Sequence, residues 1–125
     1  MTVSFRNYTK KSGITEDYQN VREFLLQLGS TNFTYARWDW MMTHDYLDKY
    51  AVDRIGIWED EDNIIGVSTF DLQLGTAYCL TNPDNNELKR EMLLYSKVNL
   101  AKGDKFGVVI PDLDLQFQDI AAELG

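Results

Sequence analysis

A chain of 125 residues is long enough for one domain that buries roughly two-thirds of the surface its unfolded form exposes. A formal charge of −8, with no basic run longer than the pair Lys10-Lys11, leaves no basic footprint for nucleic acid or for an anionic membrane surface. No apolar run approaches the roughly 18 residues of a membrane span, and Met1-Thr2-Val3-Ser4 has no signal-peptide core.

The single cysteine, Cys79, excludes an internal disulfide and fits a reducing cytoplasm. One histidine and one cysteine far apart make no zinc or Cys-His constellation, so no metal site is expected.

Residues 3–8 predict a short strand with Val3, Phe5 and Asn7 on one side. Thr15-Glu16-Asp17 then marks a helix start, with Thr15 as N-cap and two acids in the first turn, and Gly29 closes the helix. Its buried stripe is Tyr18, Val21, Phe24, Leu25 and Leu28.

Residues 32–50 are the densest in aromatics. Tyr35, Trp38, Met41 and Met42 keep helical spacing while Trp40 points elsewhere, and the segment runs on through His44, Tyr46 and Leu47. Tyr35, Trp38 and Trp40 read either as the wall of a substrate cleft or as part of a helix packed across a sheet. His44 beside Asp45 reads either as a general base or as a capping residue at the surface. Arg37 and Asp39 belong to a solvated face.

Residues 54–70 predict a hairpin: Ile55 and Ile57, the four-residue acidic turn Asp60-Glu61-Asp62-Asn63, and then the alternating run from Ile64 to Phe70. The acids of that turn lack the spacing of a calcium loop. Leu72, Leu74, Gly75 and Thr76 lead through a second turn into a strand over residues 77–80, making a meander.

Residues 82–86 read as a loop and residues 87–100 as an amphipathic helix, with Asn85 or Asn86 as N-cap. Its stripe is Leu88, Met92, Tyr95 and Val98, with Leu94 and Ala101 alongside, and Gly103 ends it. A strand, a loop and a helix start in succession often hold a phosphate. This loop has no glycine, Pro83 removes a donor, and Asp84 and Glu87 stand where the anion would lie. Two like charges about 6 Å apart cost roughly 2–3 kcal/mol at an effective dielectric near 20, against about 0.3–1 kcal/mol from a helix dipole. Lys89 and Arg90 offset part of that repulsion.

Phe106-Gly107-Val108-Val109-Ile110 is a continuous apolar run of the kind found in strands covered on both faces. Pro111-Asp112 opens a last helix with the stripe Leu113, Phe117, Ile120 and Leu124. The strands at 77–80 and 106–110 are joined by a helix and are therefore expected to lie parallel. The fold class is α/β (α+β), with a mixed sheet and the order βααβββαβα in one domain over residues 1–125.

That order, with the phrases Ala36-Arg37-Trp38-Asp39-Trp40-Met41, Arg54-Ile55-Gly56-Ile57-Trp58-Glu59, Ile64-Ile65-Gly66-Val67 and Glu91-Met92-Leu93-Leu94-Tyr95, resembles the N-terminal part of bacterial GNAT acyl-CoA N-acyltransferases, some of which carry two such domains in tandem. The resemblance implies acetyl-CoA as cosubstrate and direct attack of a substrate amine on its thioester, with strand-end amides polarising the carbonyl. On this resemblance the strand end Tyr78, Cys79 and Leu80 is the candidate cofactor contact.

Three family features are missing. Residues 82–87 replace the Gln/Arg-x-x-Gly-x-Gly/Ala pyrophosphate loop, and Asp114 and Ala121 take the places of an asparagine and a tyrosine acid if Gly125 ends the last helix. The two further strands of the family sheet are not in this sequence, which implies a fold truncated after the fourth helix and a longer parent protein. The expected partners are a second GNAT domain or a second copy meeting the partly uncovered strand at 106–110. Beside the acetyltransferase reading stand a non-catalytic scaffold of the same fold and an unrelated binder using the Tyr35, Trp38 and Trp40 wall.

Overall fold

The structure is a computed structural model that describes residues 3–11, 13–29, 33–110 and 114–124. In chain order these form β1 (Val3–Asn7), α1 (Glu16–Leu28), α2 (Tyr35–Thr43), β2 (Gly56–Asp60), β3 (Asn63–Asp71), β4 (Gln73–Thr81), α3 (Lys89–Asn99), β5 (Gly107–Val109) and α4 (Leu115–Leu124). Short 3-10 turns at Val52–Arg54 and Pro83–Leu88 lead into β2 and α3. The strands make one mixed sheet in the order β1-β2-β3-β4-β5, antiparallel up to β4 and parallel between β4 and β5. The parallel pair joins Thr76, Ala77 and Tyr78 to Gly107, Val108 and Val109, as a helical connection between two strands requires.

The layers follow from apolar periodicity. On one face α1 and α2 set Val21, Leu25, Trp38 and Met41 against Ile57, Val67 and Leu80. On the other, α3 and α4 set Met92, Leu93, Phe117 and Ile120 against Trp58, Ile65 and Cys79. Each large apolar side chain enclosed in this way contributes roughly 1.5–3 kcal/mol. Helix α1 is held at both ends by its predicted caps: the Tyr18 amide donates to the Thr15 hydroxyl at 3.1 Å, and Gly29 turns left-handed at φ 66°. A left-handed residue there frees the chain to leave the helix without a Cβ clash.

Several boundaries differ from the sequence expectation. The β2–β3 turn has two central residues, because Asp60 pairs with Asn63, and Glu61 and Asp62 take positive φ of 51° and 70°. Helix α2 stops at Thr43, and His44 is its C-cap instead of continuing it. Helix α3 begins at Lys89 after the 3-10 turn, so neither Asn85 nor Asn86 is its N-cap, and it ends at Asn99 with Leu100 as C-cap, before Gly103.

The buried face of α3 is Lys89, Met92, Leu93 and Ser96, which leaves Leu94 47% and Val98 80% exposed. Strand β5 is three residues long, lies at the sheet edge and is half-covered; it is not buried on both faces. Helix α4 starts at Leu115 with Asp114 before it, and the expected opening at Pro111-Asp112, with Leu113 and Gly125, lies outside the described residues.

Candidate functional site

The crossover from β4 through α3 to β5 is the place the sequence singles out, and its geometry begins with where the parallel pair ends. Tyr78 opposite Val109 is the last rung, while Cys79, Leu80 and Thr81 go on pairing with β3 alone. In open sheets of this kind the space beyond the carboxyl ends of the strands is the usual ligand position. Side chains alternate along β4: Leu80 enters the core beneath α1 and α2, and Cys79 the core beneath α3 and α4. Tyr78 packs at the edge of the first core, its ring 4.9 Å from that of Phe33.

The Cys79 thiol lies 3.8 Å from the Ser68 hydroxyl and 3.6 Å from that of Ser96. Burial pushes it above the ordinary thiol range, with the two hydroxyls acting the other way, so it is a neutral packing group and not a nucleophile. Burial, and then the charge of Asp71, push the Tyr78 phenol up in the same sense. Cys79 and Leu80, both buried, can therefore offer a ligand only backbone, while Tyr78 is half-buried.

Beyond Thr81 the chain folds tightly on itself. The Thr81 hydroxyl donates to the Ile65 carbonyl at 2.9 Å, the Asn82 amide to the same carbonyl at 3.2 Å, and the Asn85 amide to Asn82 at 2.9 Å. The 3-10 turn that follows closes amides onto carbonyls three residues back, and the Lys89 amide bonds to Asn86. The amides of Asn82, Asn85 and Lys89 are thus engaged within the protein instead of turned outward as in a phosphate nest.

Lys89, in the first turn of α3, is 9% exposed, and its ammonium donates to the Asp114 carboxylate while lying 4.9 Å above the Phe117 ring. The other Asp114 oxygen accepts the Phe117 amide at 3.0 Å and so caps α4. Burial raises the Asp114 pKa, but the Lys89 hydrogen bond and the Phe117 amide outweigh it and hold the carboxyl below its ordinary range. Arg90, the other cation of this turn, pairs with Glu123 at 2.7 Å. The start of α3 is thus tied to both ends of α4, and both of its cations already have carboxylate partners. This set does not fit the diphosphate of a coenzyme, because its cations and turn amides are committed to the protein's own acceptors.

The aromatic group on α2 is dispersed. Trp38 is fully enclosed, its indole N–H donating to the Tyr18 carbonyl at 3.1 Å. Tyr35 lies under the Arg22 guanidinium, and Trp40 is flanked by Arg37 and by the His44 ring at 4.3 Å. His44 accepts the Tyr46 amide at Nδ1, which suits a helix-end residue. Asp39 and Arg37 do more than face solvent: Asp39 binds Arg22 and the Tyr18 hydroxyl, and Arg37 holds Asp71 at 2.7 Å.

Among the described residues there is no group of three His, Cys, Asp or Glu that could hold a metal, and no helix is long and apolar enough to cross a membrane. The sequence reading missed the Lys89–Asp114 pair. The signal was available: Lys89, Met92, Leu93, Ser96 and Leu100 are spaced three, one, three and four, which is a helical stripe once a lysine and a serine are admitted to it. No known family model matches this sequence, and no curated protein is significantly similar to it.

Proposed function

We propose that this chain is a GNAT-like domain acting as a non-catalytic scaffold within an acetyl-CoA-dependent N-acetyltransferase, where it shapes or supports the catalytic unit instead of transferring the acetyl group itself. The observation that carries this reading is the Lys89–Asp114 pair. It fills the angle between the start of α3 and the start of α4 with an internal anion, at the point where a cofactor-binding version of the fold would need an unclaimed cation and free amides.

A second reading, acetyl transfer by this segment, is favoured by one feature: β4 runs past β5, so the backbone of residues 79–81 has no parallel partner there. A strand end of that kind could hold an acyl thioester through main-chain groups.

Thermal unfolding with added acetyl-CoA separates the two. A site filled to a hundred times its dissociation constant adds about 2.7 kcal/mol of stability. The scaffold reading expects no shift of the midpoint at millimolar acetyl-CoA. A saturable rise would replace it with the acetyltransferase reading.

A further inference from the structure

At the end of the sheet opposite the crossover mouth, where β1 stops at Asn7 and β2 starts at Gly56, lies a hollow of about 470 Å³. The 3-10 turn at Val52–Arg54 and the last turn of α3 border it. Its size falls in the range of small-molecule sites, about 300–1,000 Å³. One wall is braced by hydrogen bonds: the Tyr95 hydroxyl donates to the Arg54 carbonyl at 2.6 Å and accepts the Asn7 side-chain amide at 2.7 Å, and the Asn99 side-chain amide donates to the Tyr95 carbonyl at 2.9 Å. These bonds use the amide nitrogens and leave the side-chain oxygens of Asn7 and Asn99 without a partner among the described residues.

Lys10, Asp53 and Arg54 also line the hollow, and none of the three forms an ion pair among the described residues. Arg6, Arg22, Arg37 and Arg90 each hold a carboxylate, so Arg54 stands apart from the other arginines in a chain with 20 acidic residues. Burial, opposed by the Asn7 hydrogen bond, pushes the Tyr95 phenol up, and the charges of Asp53 and Arg54 act on that phenol with opposite signs, which puts both near the braced wall. A guanidinium presents paired N–H donors to a carboxylate, while a carboxylate and amide oxygens accept from an ammonium group. A chain of charge −8 repels anions over most of its surface, so a small anion is drawn only to a place where uncommitted cations gather.

We infer that this hollow binds a free amino acid with an acidic side chain, its two carboxylates on Arg54 and Lys10 and its ammonium on Asp53 and the side-chain oxygens of Asn7 and Asn99. Two cations and one carboxylate on the protein meet two carboxylates and one cation on the ligand. Tyr50, 96% exposed and also lining the hollow, adds an aromatic face for the aliphatic part of the ligand. The inference does not rest on the scaffold reading, since the hollow and the strand end at Thr81 lie at opposite ends of the sheet.

Amide chemical-shift titrations of the full chain with L-glutamate and with glutarate, which lacks the ammonium group, test it. L-Glutamate is expected to move the amides of residues 7–10, 50–54 and 95–99 saturably, and glutarate to bind on the order of 10-fold more weakly for want of one charge-assisted contact. Arg54→Gln changes an exposed side chain whose backbone carbonyl still accepts from Tyr95, so it should keep the melting temperature and weaken L-glutamate on the order of 10-fold. Asp53→Asn should erase the preference for L-glutamate over glutarate. No saturable movement at tens of millimolar L-glutamate overturns the inference. So does glutarate binding as tightly as L-glutamate to the wild type, or L-glutamate binding that is indifferent to Arg54→Gln.

Discussion

At the scale of single residues, Gly56 and Lys89 show how packing and charge fix a position. A Cβ on Gly56 would stand 2.9 Å from a Tyr95 ring carbon, 3.0 Å from Phe5 and 3.1 Å from Trp58, three rings that pack on one another. Tyr95 cannot swing aside cheaply, because its hydroxyl donates to the Arg54 carbonyl at 2.6 Å and accepts the Asn7 amide at 2.7 Å. Gly56→Ala is therefore expected to cost about 1–3 kcal/mol in a urea melt, the usual cost of overpacking.

Lys89 poses the opposite problem, a charge that packing alone would reject. Its partner Asp114 is mostly buried, with a side chain 21% exposed, so Lys89→Met strands a carboxylate and should cost about 2–3 kcal/mol, somewhat below the figure for a fully buried pair. Adding Asp114→Asn keeps the cap on the Phe117 amide and removes the stranded charge. The double variant should be more stable than the two single losses sum to, and additivity in that cycle would show that the pair is not coupled.

Among the elements, the legible ones were those whose signals are local. Thr15 and Gly29 bound α1 because side-chain capping and a left-handed turn are written in the residues themselves. The parallel pairing of β4 and β5 followed from the helix between them. The start of α3 was not legible, because a 3-10 turn rather than a polar side chain satisfies its first amides. Its buried face was misassigned for a related reason: Lys89 is drawn inward by Asp114, 25 residues along the chain, and no local pattern announces that partner.

The β2–β3 turn holds two residues of positive φ without a glycine. Replacing Glu61-Asp62 by Asn-Gly is expected to raise stability by about 1 kcal/mol, measured by urea unfolding, since left-handed conformations cost ordinary residues roughly that much.

Helix α4 carries a pH dependence. Asp114 and Glu123 are both held below their ordinary carboxyl values, Asp114 against the effect of burial by Lys89 and the Phe117 amide, and Glu123 by the Arg90 hydrogen bond. A carboxyl lowered on folding stabilises the native state above its unfolded pKa, and that contribution disappears as pH falls through the folded one. Amide exchange in α4 should thus accelerate below about pH 4, near and under the reference carboxyl values. Lys89→Met should remove much of the Asp114 share of that dependence. An α4 whose acid sensitivity is the same in the wild type and in Lys89→Met would contradict the assignment.

For the molecule as a whole, helices on both faces leave a mixed sheet whose two edges, β1 and β5, lie open among the described residues. The GNAT-like reading proposed above implies a fold built around a coenzyme, while the crossover has both cations and the Asn82, Asn85 and Lys89 amides engaged internally. The molecular account turns on that closure. The most direct measurement is an amide chemical-shift titration of the full chain with coenzyme A. Closure by Lys89 and Asp114 predicts that the amides of residues 82, 84–89 and 114–117 stay in place up to millimolar ligand. Saturable movement of those same amides would contradict it and make the crossover a cofactor site.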